Sequence, residues 1–347
     1  MLGQEKSKGA SAQTFQGMLS YCEGHWPLFI VYENVDAIDD KVSGSAENNL
    51  AILMGKMREL HYEGQKVMTD AQEFGLPARR RRMYILFVDT RSATADFRTR
   101  ASGQVFATFK TLVSSCVRAS PCATECVLRR DVRAQDDIVQ QALWDRRRAA
   151  DKLAEKKAPP ATWIDKHMAY AESLGVRWAA PVAQELAANP WFLTMTKREQ
   201  DALVLSRVDG PGCEFRNLSQ SVGRINARSL RPEIGKEVAP TMLPGKLLWC
   251  ESQARLLTGQ EALILQGFLI LRLVDKATAL PTDFFNQAFM HDLAGNAMAL
   301  PVALGIFQAA VAAIHLKQHR RQSLEDEEDE IAVAMSALRQ LQKAERS

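Results

Sequence analysis

Six consecutive apolar residues, Met83-Tyr84-Ile85-Leu86-Phe87-Val88, directly follow four consecutive arginines, Arg79 to Arg82. Such an apolar run fits a strand covered on both faces, whereas four adjacent guanidinium groups repel one another and are held in solvent or opposite an anion. The junction therefore predicts a buried strand that opens at a charged site. A second run, Leu28-Phe29-Ile30-Val31-Tyr32, begins after Pro27 and ends against Glu33. It reads as a buried strand of a parallel sheet, with Glu33 in the loop at its carboxyl end, where open α/β sheets place their ligands. Thr14 to Tyr21 reads as a short helix, Ala46 to Leu60 has helical periodicity through Leu50, Ile52, Leu53, Met57 and Leu60, and Lys66 to Asp70 suits a further strand. Strand, helix, strand, loop, strand is the order of an α/β sheet with crossovers, so residues 28–32, 66–70 and 83–88 are expected in one sheet.

Beyond Arg98 the character changes to helical segments of mixed charge, interrupted by Pro159-Pro160, Pro181 and Pro190. Between Val127 and Ala158 nine basic side chains, Arg146, Arg147 and Arg148 among them, outnumber six acidic ones. Such a cluster is either a solvated helix face or a surface for phosphate. Leu256 to Leu273 and Met298 to Leu316 are apolar enough for core helices, the second with Pro301 in its first turn. A wholly acidic run, Glu325 to Glu330, precedes a last amphipathic helix, Ile331 to Ala344. The run reads as a solvated hinge, with competition for a basic surface as the lesser alternative.

With 347 residues, 46% of them hydrophobic, the chain can bury one large core or two smaller ones. A formal net charge of +3 permits a nucleic-acid partner without pointing to one. Six cysteines are too few for a disulfide-built scaffold, so a reducing intracellular compartment is expected, the nucleus in a eukaryote and the cytoplasm otherwise. Cys116, Cys122 and Cys126 cluster without a fourth ligand, and no metal site is expected. The apolar stretch Ala262 to Val274 is interrupted by Gln266, Gly267 and Arg272 and is too short for a bilayer crossing, so no membrane partner is expected.

Four landmarks follow one another in order: Glu33-Asn34-Val35; Gly75-Leu76-Pro77-Ala78 with Arg80 and Arg82; Arg255, Leu257, Thr258 and Glu261 leading to Gln266-Gly267-Phe268; and Gly295-Asn296-Ala297. Pro240-Thr241 precedes the third. Together they resemble the second half of a DNA (cytosine-5) methyltransferase. Arg80 and Arg82 fall on two arginines of a family element that reads proline, glutamine, any residue, arginine, any residue, arginine, and Ala78 stands where that element has glutamine. The resemblance covers roughly residues 12 to 92 and 215 to 312.

The resemblance implies an α/β fold, a partial S-adenosylmethionine-dependent methyltransferase sheet of Rossmann-like type carrying a mainly helical target-recognition insertion. It implies a partial catalytic domain over 1–92, a variable DNA-recognition region over 93–240, a return to the catalytic domain over 241–320, and the acidic run and terminal helix over 321–347. Glu33, Arg80 and Arg82 become catalytic candidates, expected to converge on one cleft. Gly295 and Asn296 become cofactor-binding candidates flanking it, and Arg146, Arg147 and Arg148 DNA-binding ones. In that family a cysteine thiolate adds to C6 of a flipped cytosine, the glutamate meets N3, and the methyl group passes from sulfonium to C5. Thr258 with Glu261 has the spacing of a capping box and reads as scaffold.

No phenylalanine-any-glycine-any-glycine loop precedes Glu33, and no proline-cysteine-glutamine element occurs in the sequence. Cys22 lies ahead of Glu33's own strand and reads as a small buried hydrophobe. The chain is therefore expected to be inactive alone, with S-adenosylmethionine as cofactor only if the absent half is supplied, double-stranded DNA as partner, and a complementary methyltransferase subunit as a second partner. The alternatives are a non-catalytic DNA-binding or scaffolding derivative and, more remotely, a helical interaction protein.

Overall fold

A computed structural model describes residues 10–40, 48–91, 101–120, 126–129, 131–154, 162–178, 182–225, 238–276 and 282–318. In chain order the elements are α1 (Ala10–His25), β1 (Phe29–Val35), α2 (Asn49–Glu59), β2 (Tyr62–Asp70), β3 (Arg81–Asp89), α3 (Ala101–Ser115), α4 (Arg133–Ala154), α5 (Ile164–Ser173), α6 (Gln184–Ala187), α7 (Pro190–Leu193) and α8 (Lys197–Asp209). They continue through β4 (Phe215–Asn217), β5 (Leu248–Cys250), β6 (Arg255–Leu256), α9 (Gly259–Ile264), α10 (Ile270–Lys276), α11 (Gln287–Asn296) and α12 (Leu300–Gln318). The described residues of 1–69, 81–117 and 302–347 form one unit, and those of 70–80 and 118–301 a second. The acidic run, the terminal helix and Cys122 lie outside the described residues.

In the first unit β3 lies between β1 and β2, so the three expected strands do share a sheet. Met83 to Val88 are all buried, which is why the sequence there is continuously apolar and does not alternate. The expectation of a buried parallel strand at 28–32 is corrected. β1 is antiparallel to β3, from Phe29 opposite Val88 to Val35 opposite Arg82, and it is a half-buried edge strand. An apolar run reports burial; it does not carry the direction of the neighbouring strand.

Helix α2 starts where Asn48 accepts a hydrogen bond from the Ala51 amide at 2.8 Å, a side-chain cap that supplies one partner for the unpaired amides of the first turn. Its Leu50, Leu53 and Met57 pack with Leu19, Cys22, Ile38, Tyr62, Met83, Ile85 and Phe87 into one core, and Ile30 and Tyr32 lean on it. Phe29 points to the other side of the sheet, where its ring lies 6.2 Å from that of Phe307 in α12.

The second unit is mainly helical around the antiparallel strands β4, β5 and β6, in the order β4-β5-β6. The single helix expected over 256–273 is instead two. Thr258 and Glu261 form the expected capping box that opens α9, and the chain then turns at Gly267 with φ +87°. A Cβ at Gly267 would overlap Pro301, so neither the backbone angle nor the space admits a side chain. The stretch Gln287–Ile314 is long and apolar enough by composition to cross a membrane. It is divided into α11 and α12 by the non-helical residues Ala297 to Ala299, and both helices bury residues in the protein.

Glu261 does more than cap. Its carboxylate holds Arg255 Nη1 at 2.8 Å and Nη2 at 2.6 Å, and accepts from the amides of Thr258 at 2.7 Å and Leu128 at 2.8 Å. Both side chains of this ion pair are 0% exposed. Removing one partner strands the other charge in the core, so Glu261→Gln is expected to lower unfolding free energy by about 3–5 kcal/mol. The check is a denaturant melt of the variant against the parent protein, in which an unchanged midpoint would contradict a structural role for the pair.

Candidate active site

The antiparallel register of β1 and β3 creates the first cluster. Glu33 lies opposite Tyr84 and Val35 opposite Arg82, so Glu33 and Arg82 are diagonal neighbours on one face of the sheet. Arg82 Nε stands 2.9 Å from Glu33 Oε1, with the side chains 13% and 20% exposed. Glu33 is thus placed within the strand, which corrects its expected position in a following loop. Beside it Asn34 Nδ2 donates to the Tyr32 hydroxyl at 2.7 Å, and Asn34 Oδ1 accepts from the Val35 amide at 2.8 Å. Burial raises the Tyr32 phenol above its ordinary pKa, the Asn34 bond opposes this, and the Glu33 charge adds to the rise. Arg81 reaches Asp36 at 3.5 Å on the exposed side.

A carboxylate gripped at one oxygen by a fixed guanidinium keeps its direction. It then presents the second oxygen as an acceptor for a polar ligand. No resolved backbone N–H is turned to that oxygen among the described hydrogen bonds, so Glu33 retains acceptor capacity.

Arg80 follows a different course in the second unit. Its guanidinium is buried and donates to the carbonyls of Met242 at 3.1 Å and Gly295 at 3.5 Å. The Arg80 amide donates to Asp70 Oδ1 at 3.1 Å, and Arg79 lies 3.9 Å from Asp70 Oδ2. Two residues selected from separate landmarks, Arg80 and Gly295, therefore meet in one backbone clamp. Ala78 is buried where residues 77–79 pair with Ala239, the Arg79 amide donating to the Ala239 carbonyl and the Ala239 amide to that of Pro77, each at 2.8 Å.

The cofactor candidates can be tested on the space around them. A Cβ at Gly295 would overlap the backbone nitrogen of Pro244, so its missing side chain admits the protein's own chain. Asn296 is exposed at the last position of α11. This pair alone does not fit as a pocket for S-adenosylmethionine: the cradle is filled, and one exposed amide remains.

The three consecutive arginines of α4 diverge, as about 100° of rotation per residue requires. Arg146 turns inward, its Nε donating to Thr194 Oγ1 at 3.3 Å, and burial lowers its pKa. Arg148 stacks on the exposed Trp144 ring at 4.5 Å from its centroid, and Arg147 is exposed. Sequence reading missed the Tyr32–Asn34 bond and the Arg81–Asp36 pair. Period-two alternation across residues 32–36 and 81–84 was the available signal, and it needs the register to be read.

Among the described residues no group of three His, Cys, Asp or Glu side chains is arranged to hold a metal ion. Cys22 is buried and burial raises its pKa; Cys250 is buried too, with burial the main cause that pushes it up to about 12.

The C-5 cytosine-specific DNA methylase family profile matches residues 2–309. The chain is 26% identical over 330 residues, 90% of its length, to the DNA (cytosine-5-)-methyltransferase DMT5 of Cryptococcus neoformans, and spans only 13% of that relative. Among solved structures, the S. pombe Dnmt2 methyltransferase aligns over 90% of this chain and 75% of its own, with 13% identity and a TM-score of 0.36.

Raised thiol pKa values mean little thiolate at neutral pH, and thiolate is the nucleophile. Cys22 and Cys250 are therefore expected to resist iodoacetamide at pH 8 in the folded protein and to react once it is denatured. Peptide mass spectrometry reads this directly; rapid native labelling of Cys22 would restore it as a nucleophile candidate.

Proposed function

Because the chain belongs to the C-5 cytosine-specific DNA methylase family, we propose that it supplies the base-docking carboxylate of a DNA cytosine-5 methyltransferase. The observation that carries this reading is the Glu33–Arg82 ion pair at 2.9 Å. A fixed glutamate can meet N3 of a flipped cytosine: arriving as the neutral acid, it gives its proton to N3 as the thiolate adds to C6 and C5 becomes nucleophilic, and it is left as the carboxylate beside Arg82. Arg82 positions that carboxylate, while Arg80 holds the 70–80 segment against Met242 and Gly295.

The attacking thiolate and the principal cofactor loop are to be supplied by a complementary methyltransferase segment, because this sequence contains no phenylalanine-any-glycine-any-glycine or proline-cysteine-glutamine element. S-adenosylmethionine, bound there, is the methyl donor. Double-stranded DNA is the substrate, which places the protein in a DNA-containing compartment. A second reading, a DNA-binding derivative without catalysis, draws support from Gly295, whose side-chain space is filled by Pro244 and leaves no cradle for a cofactor there.

Labelled methyl transfer to duplex DNA separates the two. The chain alone is expected to give background transfer, and addition of a family fragment carrying both missing elements to restore it. Glu33→Gln should then reduce restored transfer by about 10²–10⁴-fold with the fold unchanged, the usual range for losing a positioned acid or base. Restored activity insensitive to Glu33→Gln would refute the assigned role.

The geometry also divides the arginines of α4. Arg147→Ala and Arg148→Ala are expected to weaken DNA binding and each to lower the slope of log K against log salt by roughly one, as for a lost phosphate contact. Arg146→Ala should instead lower stability through its bond to Thr194. Fluorescence anisotropy across a salt series, paired with thermal melts, measures both effects; equal slopes for all three variants and the parent would remove this helix from the DNA surface.

A further inference from the structure

Helix α11 is held at both ends and carries a titratable ring in its middle. At its start the Gly259 amide donates to Gln287 Oε1 at 2.8 Å, and Gln287 Nε2 donates to Gln260 Oε1 at 3.1 Å. At its finish Gly295 packs against Pro244, and the Gly295 carbonyl accepts from Arg80. His291 lies between, three and four residues before the buried Ala294 and Gly295, which puts it on the helix face that packs into the second unit. The fit there is close: a Cβ at Gly259 would stand 2.8 Å from the His291 backbone nitrogen.

His291 lines a narrow cavity with Met242, Leu248, Leu257 and Ala262, and Lys246 lines it too. Arg146 of α4, its own charge partly withdrawn from water, acts on the same ring. The nearby acids offer a protonated ring little. Glu261 of α9 already holds Arg255 of β6 and the amides of Thr258 and Leu128, and Asp292 is exposed to solvent, which screens it. Burial is the main cause that lowers the His291 imidazole below its ordinary pKa, and the Arg146 charge adds to the fall; Glu261, Asp292 and a backbone bond at Leu257 oppose it. A cation formed here would join two others around a mostly apolar cavity.

We propose that His291 is an acid-sensitive latch on α11: neutral, its ring completes the cavity wall beside Lys246 and Arg146; protonated, it is repelled by both cations and unseats the helix, which withdraws the Gly295 carbonyl from Arg80. The direction follows from which state takes up the proton. An unseated His291 binds a proton near the ordinary imidazole value of about 6.5, whereas the seated ring resists it until lower pH. The seated state is therefore fully favoured above about 6.5 and loses ground as pH falls below that value. Because Arg80 holds the 70–80 segment through the Met242 and Gly295 carbonyls, the same proton would loosen that segment. The latch goes beyond the proposed methyltransferase role and does not depend on it.

The test uses the full chain. Histidine ring titration followed by sequence-specifically assigned NMR should place His291 below about 6.5. Amide protection factors, which correct exchange rates for the intrinsic effect of pH, should fall in α11 by roughly threefold or more between about pH 7.5 and about pH 5.5. In His291→Gln, whose amide takes up no proton in that range, the fall should vanish. Should that variant misfold, titration and exchange in the parent chain decide the matter, since both are read without a substitution.

A fall in protection confined to α11 and residues 242–248, and absent from His291→Gln, upholds the latch. Titration of His291 at or above about 6.5 would overturn it, as would a lowered titration with α11 protection unchanged. A fall that persists in His291→Gln would assign the response to another group and likewise overturn it. A fall shared equally by amides throughout the chain would be whole-molecule unfolding, which also contradicts a local latch.

Discussion

The central strand β3 is the constraint on which the first unit depends. Covered on both faces and paired on both edges, it has no position from Met83 to Val88 at which a polar side chain could reach water. Burial of six consecutive large side chains contributes roughly 1.5–3 kcal/mol each before entropy is counted. That anchors the strand so firmly that its first residues, Arg81 and Arg82, emerge at a fixed place. The site follows from this: Arg82 meets Glu33 because β1 is aligned with a strand that cannot slip by one residue without turning its apolar side chains into the wrong layer.

The arginine run shows how the fold resolves a local charge conflict. Arg79, Arg81 and Arg82 are each brought within ion-pair distance of a separate carboxylate, Asp70, Asp36 and Glu33. Arg80 is drawn inward onto carbonyls instead. Each placement relieves like-charge repulsion, and they have different consequences. A paired, partly exposed guanidinium orients a carboxylate for chemistry, whereas a buried one fixes the segments whose carbonyls it binds.

A comparable division of labour appears at Glu261. Its sequence context reads as a helix cap worth about 1 kcal/mol, while its fully buried carboxylate also neutralises Arg255 and satisfies the Leu128 amide. One residue thus joins three parts of the second unit. Gly267, just beyond, makes the turn between α9 and α10 under the pressure of Pro301. Gly295, a cofactor-binding candidate in the linear sequence, likewise packs its backbone against Pro244.

The sequence by itself determined the fully buried run at 83–88 and the ordered landmarks that name the family. Apolar runs gave strands at 28–32 and 83–88, the Thr258–Glu261 spacing gave a cap, and Pro301 gave a helix start, because each depends on chemistry within a few residues. Only the tertiary structure decided that β1 runs antiparallel at an edge, that Glu33 pairs with Arg82, and that Arg80 instead clamps Met242 and Gly295. It also turned Arg146 onto Thr194 while leaving Arg147 exposed. The physical reason is the same throughout: strand direction, register and the partner of a long charged side chain are set by residues distant in sequence, and no local pattern encodes them.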